Sequence, residues 1–215
     1  MKIAFVGYGQ VGSALADHLQ RLGHDVMLAA RDQRSDSVRK ARTRNPNLRA
    51  VESREAVGTA EVVFLATPFQ ANADALQPVS ADLKGKVLVD CTNPIGPGLS
   101  HGLKSAQSGS EATQALVSEA KLVKAFTIYG FIYGFENFEN NSFPAYTVKP
   151  VMMFCGRDAA AKATVGGLIA ELGWEPLDVG GLEQALHLEH MTLLYIRMVR
   201  MHGQPAATVW ARLTR

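Results

Sequence analysis

Residues 2–12 read KIAFVGYGQVG, and this stretch decides the fold. The apolar run Lys2–Val6 predicts a buried parallel strand that stops at Gly7. Apolar residues then recur at helical spacing from Val11 to Leu22, and Gly23 stands where a helix would end. Strand, glycine turn and helix therefore follow one another directly, with no linking residues between them.

The glycine turn fits the pattern G-x-G-x-x-G in its required context, directly after a strand and opening a helix. In this pattern the first glycine permits the tight turn, the second lets the backbone approach a pyrophosphate, and the third allows close packing of helix on strand. The positive end of the helix dipole stabilises the negative charge of the pyrophosphate. A structural turn without a ligand is the alternative. We predict that a dinucleotide binds at six residues: Gly7, Tyr8, Gly9, Gln10, Val11 and Gly12.

The end of the second predicted strand, Asp25–Ala30, bears on the choice of dinucleotide. An NAD-type site would place an acidic residue here for the ribose, whereas this strand is followed by Arg31. A guanidinium can pair with the 2′-phosphate of NADP(H), and Arg34 and Ser35 could close around it. A shift of one residue in the strand end would bring Asp32 to the ribose instead. The sequence favours NADP(H), with NAD as the alternative.

Apolar strands and helical patterns alternate along most of the chain, which is typical of a parallel sheet. The polar stretch Arg31–Arg49 is interpreted as a loop and a mostly solvated helix, and residues 96–109 as a loop. Further strands are predicted at Glu61–Ala66, Lys86–Asp90, Leu122–Phe126, Val151–Cys155 and Glu175–Val179. Further helices are predicted at Ala71–Leu76, Glu111–Glu119, Ala159–Leu172 and Leu182–Met201.

These patterns predict an α/β fold: a Rossmann-like, doubly wound, mainly parallel sheet with helices on both faces and a C-terminal helical elaboration. We expect one NADP-binding domain over residues 1–215. Residues 1–126 would form the dinucleotide-binding core, and residues 127–215 the aromatic loop and the C-terminal elaboration.

The composition excludes several classes of partner. A net charge of +2 in 215 residues gives no broad field for nucleic acid or a membrane surface. No stretch approaches the length of a membrane span, and the N-terminus does not resemble a secretory signal. We therefore expect a cytoplasmic protein with a small-molecule partner. Cys91 and Cys155 lie in apolar runs and are predicted to be buried thiols.

Two more strand ends are candidates for the site, because ligands of doubly wound sheets lie beyond the carboxyl ends of the strands. Thr67 and Pro68 follow one strand, and Asn93 and Pro94 follow another. Both pairs offer short polar groups and a rigid backbone beside the expected nicotinamide. Ordinary turn chemistry is the alternative.

An aromatic-rich loop is predicted between Thr127 and Tyr146, and it contains the repeat IYGF-IYGF. It could stack on a planar acceptor or cover the nicotinamide. Packing on the core or on a second subunit is the alternative. The candidate substrate residues in this loop are Tyr129, Phe131, Tyr133 and Phe135.

His187 and His190 are three residues apart, which places them on one face of the last predicted helix. They are candidates to face the substrate or to pack against neighbouring side chains. Such spacing also permits zinc, but no third ligand is evident, so we predict no metal site.

Several stretches together resemble the NADPH-dependent reductases of the deazaflavin coenzyme F420 and their relatives, which include the cytosolic domains of membrane ferric reductases. The resemblance covers nearly the whole chain. It implies a homodimeric enzyme that passes hydride between NADPH and a flavin-like ring, with Gly7, Gly9, Gly12 and Arg31 on the dinucleotide. It rests on KIAFVGYGQVGSAL, LATP (65–68), DCTNP (90–94), KAF (124–126), CGRDAAAKATVGGLI and ELGWEPLDVGGL.

The chain also departs from this family. Thr127 follows KAF where relatives commonly have Asn, and the segment His187–Ile196 differs from the deazaflavin reductases. We interpret the protein as a divergent branch whose acceptor is coenzyme F420 or a flavin.

The predicted function is an NADP(H)-dependent oxidoreductase with a small-molecule hydride acceptor. Hydride transfer between two rings needs positioning more than an acid or a base, and no catalytic residue is assigned. A non-catalytic NADP(H) sensor and a small-carbonyl dehydrogenase are the alternatives.

Overall fold

The computed structural model describes residues 1–129 and 147–215. The predicted loop residues Phe131, Tyr133 and Phe135 lie outside these ranges. The strands are β1 (Lys2–Val6), β2 (Asp25–Ala30), β3 (Arg49–Glu52), β4 (Val62–Leu65), β5 (Val87–Asp90), β6 (Ile95–Gly96), β7 (Ser100–His101), β8 (Lys121–Lys124), β9 (Val151–Gly156) and β10 (Glu175–Asp178). The α-helices are α1 (Gln10–Arg21), α2 (Asp36–Arg44), α3 (Ser53–Thr59), α4 (Asn72–Leu76), α5 (Gly109–Leu116), α6 (Ala159–Glu171) and α7 (Ala185–His202).

Eight strands form one sheet in the order β10-β9-β8-β5-β4-β1-β2-β3. Neighbouring strands are parallel except at β8 and β9, which run antiparallel. The chain moves outward from β1 to β3 and then returns to β4 on the other side of β1. This confirms the predicted Rossmann-like, mainly parallel sheet. The carboxyl ends of β1 and β4 meet where the strand order reverses, which is where such sheets bind ligands.

The core lies along the central strands, as near-continuous apolar runs in a parallel sheet require. Phe5 of β1 stacks on Phe64 of β4 with ring centroids 4.7 Å apart, and Phe64 lies 5.8 Å from Phe126. One cluster of buried apolar side chains extends from Ile3 to Tyr195. Both predicted thiols, at Cys91 and Cys155, are buried and free.

Two elements were not predicted: the strand β3 and the helix α3 that follows it. Strand β3 is a four-residue edge strand, RAVE, whose side chains are exposed or half-buried. It therefore lacks the apolar run that marks the central strands. The predicted loop at residues 96–109 also contains a small antiparallel hairpin of β6 and β7.

Tyr129 differs from the sequence expectation. Its side chain is 2% exposed, and its hydroxyl donates a hydrogen bond to the carbonyl oxygen of Val151. The ring packs 4.8 Å from Trp174 and 6.0 Å from Tyr195. Burial raises the pKa of the phenol. Tyr129 is a core residue, and it is not available to a substrate.

Across residues 1–129 and 147–215, none of the helices combines the length and the apolar character needed to cross a bilayer.

Candidate functional site

The three glycines of the first turn have different surroundings. Gly7 has φ +89°, and a Cβ there would lie 2.7 Å from the backbone of Ala66 and Thr67. A Cβ on Gly12 would lie 2.2 Å from the carbonyl oxygen of Gly7. A Cβ on Gly9 would meet no heavy atom within 4 Å. The first and third glycines thus allow close backbone packing, while the second faces open space.

The open space beside Gly9 suits a phosphate group. Gly9 is the N-cap of α1, and no side chain caps this helix. The first turn of α1 holds no acidic residue. Unpaired N–H groups and the positive end of the helix dipole attract an anion. The turn therefore fits the pyrophosphate of a dinucleotide.

Two cavities flank the turn, and both use Thr67 as a wall. The larger, which we call the ribose-side cavity, has a volume of about 440 Å³. It is lined by Val6, Gly7, Tyr8, Ala29, Arg31, Asp32, Ser35, Ser37, Ser53, Thr67, Ala71, Asp74, Ala75 and Val79. The smaller, the ring-side cavity, has a volume of about 340 Å³. It is lined by Gly9, Gln10, Val11, Ala66, Thr67, Pro68, Phe69, Gln70, Cys91, Thr92, Asn93, Ile95, Phe126 and Thr127.

The ribose-side cavity contains polar groups that suit a phosphorylated ribose. Arg31 lies in its wall and donates one hydrogen bond to the carbonyl oxygen of Asp74. A guanidinium has five N–H donors, so others are left for a ligand. Asp32 also lies in the wall, and its Oδ1 accepts from the Arg34 backbone N–H at 2.8 Å. One oxygen of the Asp32 carboxylate is therefore already hydrogen-bonded to the backbone.

Other predicted and unpredicted residues of this cavity are now placed. Ser35 lines the cavity and caps α2, since its hydroxyl accepts from the Val38 N–H. Arg34 is exposed and is not among the lining residues. Ser37 and Ser53 were not predicted, although both line the cavity. Ser53 begins α3, the helix that the sequence pattern did not show.

The ring-side cavity is mostly apolar, with Phe69, Ile95 and Phe126 in its wall. Its described lining contains no charged side chain. Two buried polar atoms in this wall, Asn93 Oδ1 and Thr127 Oγ1, have no hydrogen-bond partner within the described chain. Buried polar atoms are normally paired, so these two fit a polar ligand.

The predicted strand-end residues take different positions. Thr67 and Pro68 line the ring-side cavity, and Thr67 Oγ1 donates to Asn72 Oδ1 at 2.7 Å. Asn93 lines the same cavity, whereas Pro94 lies behind the wall. The Pro94 carbonyl oxygen accepts from the Gly102 N–H at 2.6 Å. The structure therefore brings three of these four residues to the cavity.

A buried charged cluster lies beneath the ring-side cavity, and sequence reasoning missed it. Lys124 Nζ lies 3.4 Å from Asp90 Oδ2 and 3.0 Å from Glu189 Oε1. All three side chains are at most 1% exposed. The available signal was charge inside apolar strands, Asp90 ending KVLVD and Lys124 ending KLVK. Lone ionic residues at such positions are almost never fully buried unless paired.

The two predicted histidines do not line either cavity. His187 and His190 are exposed on α7, and His190 Nε2 lies 2.9 Å from Ser105 Oγ. The ring of His190 meets His101 edge-on, with centroids 5.5 Å apart. No group of three or more metal-binding side chains occurs among the residues that the structure describes.

The sheet, the glycine turn at the reversal of strand order and the two flanking cavities together define a Rossmann-type dinucleotide-binding protein.

Comparison with known proteins shows which proteins this chain is similar to. Residues 2–94 match the family model described as NADP oxidoreductase, coenzyme F420-dependent. The F420-dependent NADP reductase of Methanocaldococcus jannaschii is 25% identical over 91% of this chain and 91% of its own length. Residues 2–94 are therefore similar to the F420-dependent NADP oxidoreductases, the family that the sequence was predicted to resemble. By their descriptions, the matched family and the Methanocaldococcus protein are NADP-dependent oxidoreductases.

Two further comparisons extend over most of the chain. The metalloreductase STEAP3 of Rattus norvegicus is 29% identical over 89% of this chain, and the chain spans only 36% of that longer protein. The crystal structure of a candidate F420-dependent NADP reductase from Arthrobacter sp. FB24 superposes with a TM-score of 0.81 at 27% identity. That match covers 94% of this chain and 95% of the other.

Proposed function

We propose that the protein transfers hydride between NADPH and a flavin-like or deazaflavin acceptor such as coenzyme F420. The observation that carries this proposal is the ring-side cavity. It begins at Gly9 and Gln10 of the dinucleotide turn and continues past Phe69, Ile95 and Phe126. An apolar space beside the nucleotide turn is suited to holding planar rings face to face.

The ribose-side cavity supports NADP(H) as the dinucleotide. Arg31 offers a permanent positive charge, and Ser35, Ser37 and Ser53 offer hydroxyl groups in the same wall. Guanidinium and hydroxyl groups are the partners that a 2′-phosphate needs.

The work of the chain is to position the rings and to exclude water. NADPH, when bound, supplies the hydride. Gly9 and the N-terminus of α1 would hold the pyrophosphate, while the apolar wall at Phe69 and Phe126 would keep water from the ring-side cavity. Good positioning alone accounts for several orders of magnitude in rate. The described lining of the ring-side cavity has no charged side chain, and hydride transfer between two rings needs none as an acid or a base.

The named relatives support two kinds of acceptor. The Methanocaldococcus protein is an F420-dependent NADP reductase, and the rat protein is a metalloreductase. We favour the ring acceptor because the described lining of the ring-side cavity has no carboxylate or histidine that would bind a metal ion.

The test is the rate of NADPH oxidation with a panel of acceptors under anaerobic conditions: F420, FMN, riboflavin, a quinone, ferric citrate and small carbonyl compounds. Turnover with F420 or a flavin supports the proposal. NADPH binding without turnover by any acceptor would overturn it and favour the sensor. Turnover only with small carbonyl compounds would favour the dehydrogenase.

The homodimer and the cytoplasmic location stay predictions. Light scattering of the purified protein, which gives the molar mass in solution, tests the first. A tagged copy located in its cell of origin tests the second.

A further inference from the structure

The charged cluster under the ring-side cavity is fully buried. Burial by itself lowers the pKa of Lys124, but the Asp90 and Glu189 carboxylates raise it, and the net pKa lies above the ordinary value for lysine. Lys124 is 0% exposed, so it cannot contact a ligand. Lys124 can therefore affect the ring-side cavity only through the groups to which it is hydrogen-bonded or paired.

Lys124 holds the segment that ends strand β5. Its ammonium donates to the carbonyl oxygen of Thr92 and to Asp90 Oδ2. Asp90 Oδ1 in turn accepts from the Thr92 N–H at 2.9 Å and from the Thr92 hydroxyl at 2.7 Å. The next residue is Asn93, whose Oδ1 is one of the two buried side-chain atoms that have no partner among residues 1–129 and 147–215.

The same network reaches the opposite wall of the cavity. Thr92 Oγ1 accepts from Asn72 Nδ2 at 3.0 Å, and Asn72 Oδ1 accepts from Thr67 Oγ1 at 2.7 Å. A continuous chain of bonds thus joins Lys124 to both Thr67 and Thr92, which line the ring-side cavity. An amide does not pass protons as hydroxyl groups do, so the link at Asn72 suits alignment and not proton transfer.

The other end of the network is anchored by Glu189 on helix α7. Its carboxylate accepts from the N–H groups of Gly109 at 3.0 Å and Ser110 at 3.3 Å, at the start of α5. It also accepts from His101 Nε2 at 2.9 Å. The second nitrogen of His101 faces two backbone N–H donors, those of Leu103 and Ser105. Glu189 is therefore held from three directions, and Lys124 has a fixed counterion.

Stability alone does not explain such a cluster. A buried ion pair costs several kcal/mol per ion in desolvation, and apolar replacements of equal volume are often neutral or stabilising. A function in which geometry matters gives a reason for its presence, because small displacements of reacting groups have large effects on rate.

We propose that Lys124, with Glu189 as its counterion, is a positioning residue that fixes the Thr92–Asn93 wall against the acceptor ring. This inference rests on the proposed function and deepens it. Lys124 touches neither ring, and its loss would weaken the alignment of the acceptor more than the binding of NADPH.

The test uses the double variant Lys124→Met/Glu189→Gln, which removes one positive and one negative charge and so leaves the net charge unchanged. The control is Lys121→Met, at the half-buried start of the same strand, where the side chain pairs with Asp158. The NADPH dissociation constant, kcat, KM for the acceptor and a crystal structure of each protein are measured. Glu189→Gln alone, which is isosteric, serves if the double variant does not fold.

We expect kcat/KM for the acceptor to fall about 100-fold, since misplacement by ~1 Å has an effect of that order. The NADPH dissociation constant should change less than about threefold, since the turn and the ribose-side cavity are untouched. In the crystal structure Thr92 and Asn93 should move by more than the ~0.5 Å that a productive site tolerates.

An unmoved Thr92–Asn93 segment in the variant crystal structure would overturn the inference. So would unchanged kcat and KM, with only the melting temperature lowered, because that is the pattern of a purely structural ion pair. If the wild-type protein turns over no acceptor, the proposed function fails, and the crystal structure still decides whether Lys124 positions the wall.

Discussion

Gly12 lies so close to Gly7 that a Cβ on Gly12 would come within 2.2 Å of the Gly7 carbonyl oxygen. Real Cβ atoms do not approach backbone this closely, so the contact requires glycine. Between these two residues, Gly9 faces open space on the side of its missing Cβ. The fold therefore requires glycine at positions 7 and 12 of the turn, whereas at position 9 we expect the requirement to come from a ligand.

The first prediction separates these two requirements. Gly9→Val should fold with a melting temperature within a few degrees of the wild type, because a Cβ there would meet no heavy atom within 4 Å and the φ of Gly9 is −68°. It should lose at least tenfold in NADPH affinity, because the side chain occupies the place of the pyrophosphate. Thermal unfolding and fluorescence titration measure the two effects.

Gly12→Val is the matched comparison, since its side chain would collide with backbone. We expect it to lose stability by several kcal/mol or to fail to fold. Unchanged NADPH affinity in folded Gly9→Val would show that the turn is only structural.

The second prediction concerns the choice between NADPH and NADH. NADPH should raise the melting temperature more than NADH at equal concentration, because Arg31 lies in the ribose-side cavity and can pair with the 2′-phosphate. Arg31→Ala should remove most of the difference, which corresponds to about tenfold in affinity. Differential scanning fluorimetry with both nucleotides gives the comparison.

Arg39→Ala is the control for this prediction, since Arg39 is an exposed residue of α2 that pairs with Asp36. It should keep the preference of the wild type. Equal shifts by NADPH and NADH in the wild-type protein would refute the assignment of NADP(H).

The elements that the sequence predicted are those with strong local patterns. Strands β1, β4 and β5 are central and buried on both faces, so their apolar runs stand out in the sequence. Strand β3 is held by pairing to β2 in the register Met27–Arg49, a tertiary contact that four half-polar residues do not show. The sequence predictions failed where contacts with residues distant in sequence, and not a local apolar pattern, determine the structure.

The same distinction applies to the site. The glycine turn and Arg31 could be found because their chemistry is local in sequence. The contacts of Lys124 with Asp90 and Glu189 span 34 and 65 positions, as their residue numbers show, and no local pattern connects them. The prediction that Tyr129 contacts a substrate was wrong, because the sequence pattern of an aromatic residue in a loop does not distinguish a ligand contact from a core contact.

The third prediction concerns pH and the buried carboxyl of Asp17 on α1. Burial raises its pKa, but hydrogen bonds from Arg21, Arg44 and Asn45 lower it, and the net pKa lies below the ordinary value of 3.8. A carboxyl whose folded pKa is lowered adds stability above the unfolded pKa, and this stability is lost as pH falls.

Asp17→Asn should therefore be less stable than the wild type at pH 7, and the gap should narrow as pH falls from about 5 through the folded pKa. Urea denaturation at a series of pH values measures the free energy of unfolding of both proteins. A gap that stays constant with pH would show that the Asp17 carboxylate does not contribute through its charge.

The last prediction concerns Gly109, the first residue of α5, which fits between the ring-side cavity and the charged cluster. A Cβ on Gly109 would lie 2.9 Å from Phe69 Cε2, 3.0 Å from Pro94 Cδ and 3.2 Å from Glu189 Oε1. The carboxylate of Glu189 is held by His101, Gly109 and Lys124, whereas the ring of Phe69 can move into the ring-side cavity that it lines.

Gly109→Ala should therefore fold, push the Phe69 ring into the cavity and lower kcat/KM for the acceptor about tenfold to 100-fold. Its effect on NADPH affinity should be smaller, because the three atoms nearest to the new methyl group belong neither to the glycine turn nor to the ribose-side cavity. Gly167→Ala in α6 is the matched control, since its Cβ would meet no atom within 4 Å. That variant should keep full activity and gain about 0.5–1 kcal/mol of stability, as alanine does in a helix interior. Steady-state kinetics give kcat/KM for both variants. Equal kcat/KM for Gly109→Ala and Gly167→Ala would mean that the ring of Phe69 does not bound the acceptor. The acceptor would then have to lie elsewhere along the ring-side cavity.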